Sequence, residues 1–305
     1  MIKYIVKRLI IGLITLFVLT TVTFYLTRLM PGNPFQTENI TATMLETITA
    51  HYGLDKPIGQ QYLLYLQNLL QGDLGVSYRK SGVSVNDIIA AGFPVTMKLG
   101  VITYLFALVI GVTVGIWMAA TGKEYVLGAL LTLSTLGVSI PNFVLAILLM
   151  LVFGVILQWC PVLGLDTPRH YILPVITQAV YPIAQISRLV QSSYTEAMNQ
   201  DYVVMAKAKG LKWSTITVRH VLKNAILPVI TISGPMLAFL ITGSFVVENL
   251  FTIPGIGREF VNSISNRDYT VIMGLTIFLG AIIIAANLIV DILCALVDPR
   301  IKMHD

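Results

Sequence analysis

The sequence predicts an all-α polytopic membrane protein with six transmembrane helices, and three observations carry that prediction. Of 305 residues, 56% are hydrophobic and 11% charged, against roughly 25% charged in an ordinary soluble domain. Mean hydropathy is +0.81. Several uncharged apolar runs reach the roughly 20 residues that a helix needs to cross a hydrocarbon core of about 30 Å. The formal charge of +5 is spread between these runs and makes no stripe with interleaved aromatics, so nucleic acid is not an expected partner.

The first run, Leu9–Leu29, follows Lys3, Lys7 and Arg8. That resembles a signal peptide, but no small-x-small cleavage site follows, so it reads as a retained helix. Pro31 and Pro34 around Gly32-Asn33 stop it. The stretch up to Met97 is a long outer loop in which Tyr62–Leu70 is apolar enough for a short helix, and Gly72, Gly75 and Gly82 mark turns. Residues 1–97 are thus expected to form the first transmembrane helix and an extracytoplasmic subdomain.

Residues 98–305 are expected to form a five-helix core with a cytoplasmic loop at about 196–224. Its spans are Leu99–Ala120, Tyr125–Trp159, Ile172–Ser192, Ala225–Val247 and Val271–Val297. The run Tyr125–Trp159, at about 50 Å as a straight helix, is too long for one perpendicular crossing. Pro141 lacks an N–H and crowds Gly137, which predicts a kink or a break into two half-helices near Ser139–Asn142. With both termini inside, the cytoplasmic segments hold Lys3, Lys7, Arg8, Lys123, Lys207, Lys209, Lys212, Arg219, Lys223, Arg300 and Lys302, as the positive-inside bias requires.

Catalytic motifs are absent. There is no G-x-x-x-x-G-K-[ST] phosphate loop, no H-E-x-x-H and no G-x-S-x-G, and the four histidines, His51, His170, His220 and His304, are scattered. Cys160 and Cys294 fall in an outer loop and the last span, so neither a disulfide nor a metal site is expected. Arg188, Glu248 and Asp291 sit near span ends and read as snorkelling or locally paired groups rather than an ion relay. Asn142, Gln178, Gln185 and Thr242 are uncharged polar residues inside spans; they either line a pathway or hydrogen-bond between helices.

The loop from Glu196 to Asn224 carries the strongest pattern. Tyr202, Ala206 and Gly210 recur every four residues, a strip along one helix face that would admit another backbone. Gly210 permits a turn, and Trp213, Ile216 and Val218 put apolar bulk on a second short helix flanked by Lys212 and Arg219. Spacing alone fits a docked partner and a helix lying on the membrane surface equally well.

This segment, Asp201 to Gly210 (DYVVMAKAKG) followed by Arg219-His220 and Asn224-Ala-Ile-Leu-Pro228, resembles the cytoplasmic "EAA" loop of ABC-importer permease subunits. It is similar to the dipeptide and oligopeptide branch of that family, most of all to its oligopeptide B component. Met30-Pro-Gly-Asn-Pro34, Ile253-Pro-Gly-Ile-Gly257 and Asn287 to Ile301 (NLIVDILCALVDPRI) extend the resemblance along the chain. One departure is plain: the positions of the Glu-Ala-Ala triplet read Val204-Met205-Ala206, so the glutamate has no counterpart.

The resemblance implies a prokaryotic multi-pass inner-membrane subunit that forms half of an oligopeptide pathway by alternating access. Related permeases also serve nickel, glutathione or oligosaccharides. Implied partners are a second homologous permease subunit, two cytoplasmic ATPase subunits, an extracytoplasmic peptide-binding protein and membrane lipid. ATP and Mg would reside on the ATPases, and no cofactor on this chain. Tyr202, Ala206, Gly210, Leu211, Trp213, Arg219 and His220 are the expected coupling residues.

Overall fold

The computed structural model describes residues 2–29, 53–80 and 82–297. The Met30–Pro34 helix stop, His51, His304 and the end of the Asn287–Ile301 passage lie outside them, as do the side chains of Asp291 and Cys294. Among the described residues the chain is helical, with no strand and one isolated antiparallel bridge, Val76–Ser84.

The helices are α1 (Ile2–Leu29), α2 (Ile58–Leu70), α3 (Val85–Ala120), α4 (Glu124–Ser139) and α5 (Asn142–Leu149), the last continuing into a π-helical stretch, Met150–Ile156. A 3₁₀ turn, Pro168–Tyr171, leads into α6 (Ile172–Met198), followed by α7 (Asp201–Ala208) and α8 (Trp213–Thr215). A second π segment, Ile216–Val221, joins α8 to α9 (Leu222–Ala225). Then come α10 (Leu227–Ile241), α11 (Phe245–Leu250), α12 (Ile256–Ser265) and α13 (Tyr269–Val297).

Four stretches are long and apolar enough to cross a membrane: Ile5–Leu29, Val85–Ala120, Leu227–Leu250 and Tyr269–Val290. A fifth is the pair Glu124–Ser139 and Asn142–Ile156, bent by 103°. The bend falls at the expected place. Pro141 drives Ile140 off helical geometry to φ −78°, ψ 122°, and is itself extended at φ −60°, ψ 137°. The sixth expected crossing, Ile172–Ser192, lies on α6, whose 27 residues span about 40 Å but are too polar to pass as an apolar span. The physical reason is its surroundings: α4, α5, α9, α10 and α11 all pack on it, and it buries residues from Leu173 to Ala197.

The outer loop is shorter than expected, because α3 begins at Val85 and not near Leu99. Ser84 and Asp87 form a capping box. The Asp87 N–H donates to Ser84 Oγ at 3.0 Å and the Ser84 N–H to Asp87 Oδ2 at 3.3 Å. The short helix expected at Tyr62–Leu70 is present as α2.

The chain divides into two compact units, one comprising Met1–Val95 with Pro254–Ala285 and the other Thr96–Ile253 with Ala286–Asp305. In the first, Val85, Ile88 and Ile89 bury against Ile256, Val271, Leu275 and Leu279. The Ser77–Lys80 loop is clasped by Asp268, which is 3% exposed. Its carboxylate accepts from the Ser77 hydroxyl and from the N–H groups of Tyr78 at 3.1 Å and Arg79 at 3.4 Å. Lys80 Nζ adds a 2.6 Å ion pair to Glu259. Asp268→Ala is expected to lower stability by about 3 kcal/mol by stranding these buried donors, with Asp268→Asn milder; thermal unfolding in detergent measures both.

In the second unit, Ile186 and Val190 of α6 bury against Val229 of α10, with Leu108, Val112 and Ile116 of α3 packed alongside. Gly111 and Gly115 let α3 meet Ile186 and the Ser187 carbonyl closely. Hydroxyls along the spans turn back on their own helices. Thr20, Thr113, Thr135, Thr177, Ser233 and Thr276 each donate to the carbonyl four residues earlier at 2.7–2.9 Å.

Candidate functional site

Two places gather the residues singled out by the sequence, and both belong to the second unit. The first is the α7–α9 segment. Lys209 ends α7, and Gly210 takes the left-handed conformation at φ +73°. Its N–H donates to the Lys207 carbonyl at 2.9 Å, while the Leu211 N–H reaches the Ala206 carbonyl at 3.3 Å, which is the Schellman pattern. The chain then reverses into α8, where Lys207 Nζ sits 5.6 Å from the Trp213 ring centroid.

The segment has an inner and an outer face. Val203 and Ala206 bury with Ile216, Val221 and Ala225 against Tyr194 and Ala197 of α6. The expected four-residue strip therefore breaks at Ala206, which is 6% exposed and packs inward. The i, i+4 spacing placed Tyr202, Ala206 and Gly210 on one row, but α7 turns the edge of that row into its own core. Tyr202, Gly210, Leu211, Trp213 and Arg219 remain exposed, and His220 is half-buried. Tyr202 is held in place, its hydroxyl accepting from Asn224 Nδ2 at 3.0 Å.

Sequence reasoning gave Val204 and Met205 no part in docking, yet both are 60% exposed, as is Val218 at 65%, which it had assigned to the apolar bulk of the second short helix. Leu211 and Trp213 are exposed as well, as are Lys207, Lys209, Lys212 and Arg219, so the segment presents apolar and basic side chains together. Val203 and Ala206 at i, i+3 were the available signal for which face turns inward.

The second place is a cavity of about 790 Å³ where the α4–α5 break meets α6 and α10. Asn142, Gln178 and Gln185, three of the four polar residues for which pathway lining and bonding between helices were both open, line it together. Tyr181 and Pro182 complete the α6 wall, so residues 178, 181, 182 and 185 form one helical face. Gln185 Nε2 donates to the Tyr181 hydroxyl at 2.6 Å. Thr242 is not in the lining: it is 6% exposed, and its hydroxyl donates to the Phe239 carbonyl at 2.8 Å. Its neighbours Gly243 and Ser244 take that wall instead. Met236, Phe239 and Leu240 from α10 supply the apolar side, and the lining holds no charged residue among those described.

The family model for "Binding-protein-dependent transport system inner membrane component" matches residues 111–303, which contain both places. Its N-terminal companion matches residues 1–100. The chain belongs to this permease family. The permease is a transport subunit and not an enzyme, and it resides in the inner membrane.

Among curated relatives it is 43% identical to the dipeptide transport system permease protein DppB of Bacillus subtilis, over 100% of this chain and 99% of that one. It is 44% identical to the oligopeptide transport system permease protein OppB of Haemophilus influenzae, covering 99% and 100%. A solved inward-facing structure of the MetNI methionine ABC transporter shares the permease's fold. The TM-score is 0.53 at 20% identity, over 67% of this chain and 95% of that chain.

Proposed function

We propose that the permease forms half of the translocation pathway of an ATP-driven importer of short peptides, working by alternating access. End-to-end similarity above 40% to relatives named for dipeptide and oligopeptide transport carries this reading. The cavity supports it, since an uncharged lining with a few amides suits a solute that is polar along its main chain and variable in its side chains.

In this reading the second half of the pathway comes from a related permease subunit, and an extracytoplasmic peptide-binding protein delivers substrate. Two cytoplasmic ATPases hold ATP and Mg. They dock on the exposed face of α7–α8, where Val204, Met205, Leu211 and Trp213 offer apolar contact beside basic residues. Closure of the ATPases then moves this segment, whose inner face is packed on α6, and α6 carries the motion to the cavity wall.

The test is reconstitution of the chain with its sister permease, ATPases and binding protein in liposomes. Uptake of a labelled tripeptide that requires internal or external ATP at the ATPase side, and the binding protein on the other, is the expected result. Uptake by this chain alone, driven by a proton or sodium gradient, would overturn it.

A further inference from the structure

Three prolines from three helical segments line the one cavity: Pro141 before α5, Pro182 within α6 and Pro235 within α10. A proline inside a helix removes the N–H that would close on the carbonyl one turn earlier. For Pro182 that carbonyl belongs to Gln178, and for Pro235 to Thr231. Both of those residues line the same cavity.

Gln178 brings a second unmet group. Its side chain is 4% exposed, and its amide nitrogen has no hydrogen-bond partner among the described residues. Buried polar groups are nearly always satisfied, so an exception on a cavity wall asks for a ligand. Gln178 thus combines an unsatisfied side-chain donor with a main-chain acceptor that has lost its usual partner. A peptide group has the complementary pair, one carbonyl and one N–H.

We propose that Gln178 and the Pro182 break form a transit subsite that hydrogen-bonds the main chain of a passing peptide. The Gln178 amide donates to a peptide carbonyl, and the Gln178 main-chain carbonyl accepts from a peptide N–H. Met236 and Phe239 on the facing wall accommodate substrate side chains, the flexible thioether adapting to different shapes. With no charged group among the described lining residues, the subsite engages internal peptide groups and not the charged termini. This inference rests on the peptide-importer reading.

The test uses the complete reconstituted transporter and compares an alanine tripeptide with its analogue in which one internal amide is an ester, which removes the N–H. Pro182→Ala returns a donor to the Gln178 carbonyl, so the amide-to-ester uptake ratio is expected to fall about fivefold from its native value. The binding protein is common to both complexes, so a change in ratio reports on the cavity. Gln178→Leu is expected to slow uptake about tenfold, equally for tripeptides with acidic, basic and apolar central residues. An unchanged ratio, or a loss that depends on the substrate side chain, overturns the proposal. In the native complex, a photoreactive tripeptide should label segments 138–142, 178–185 and 231–244, and labelling confined elsewhere also overturns it. If the native complex shows no ATP-dependent peptide uptake, the importer reading itself fails, a result distinct from these.

Discussion

Gly100→Ala is expected to leave little folded protein. On α3, Gly100 lies so close to α10 that an added Cβ would run into the Leu240 carbonyl oxygen and stand 2.6 Å from its carbon and 2.9 Å from Ile241 Cα. All three atoms are main chain, so no rotamer relieves the clash, and the two helices must separate. Separation loosens the packing of both helices around Leu240, which is 5% exposed. Overpacking of this kind costs about 3 kcal/mol or more, a large part of a marginal stability. Size-exclusion profiles in detergent after heating would report the loss. Gly128→Ala is the control, since nothing lies within 4 Å of the added atom, and it should behave as the native chain does.

Gly210→Trp is expected to separate insertion from transport. A Cβ at Gly210 meets nothing within 4 Å, so the substitution does not disturb the packed core. The backbone is the difficulty. At φ +73° a side chain costs about 1–2 kcal/mol, which favours continuing α7 over reversing into α8. The bulky indole also stands on the exposed face proposed to receive the ATPases. Membrane-fraction yield should stay near native while ATP-dependent peptide uptake falls at least about tenfold. Native-level uptake would refute the docking assignment, and Gly210→Asn, which tolerates the left-handed conformation, should keep most of the activity.

How much of this was legible in the sequence depended on whether the cause was local. The α4–α5 break could be foreseen because proline acts on its own chain, and the turn at Gly210 because glycine does. The start of α3 was written in Ser84 and Asp87, a capping pair hidden by attention to apolar runs. Features that depend on what a helix packs against were not visible. Its apolar residues made α6 look like an ordinary crossing with a few scattered amides, yet its neighbours determine that Gln178 is buried and that Gln185 meets Tyr181. Ala206 and Thr242 are buried for a reason of the same kind: spacing says which residues share a face, but not which way the face turns. The family resemblance was readable because short motifs occur in order along the whole chain, and those motifs say nothing of the cavity.

The hydroxyl groups along the spans bear on how such a protein moves. A threonine that donates to its own helix four residues back, as Thr113, Thr177 and Thr276 do, has no proton left to bind a neighbouring helix. When one helix rotates or slides against another, those bonds travel with it intact. Resistance to the stroke then comes from shape, from glycines and branched side chains that must disengage and re-seat, and a ratchet cut in this way can be reset without first dissolving polar contacts in lipid.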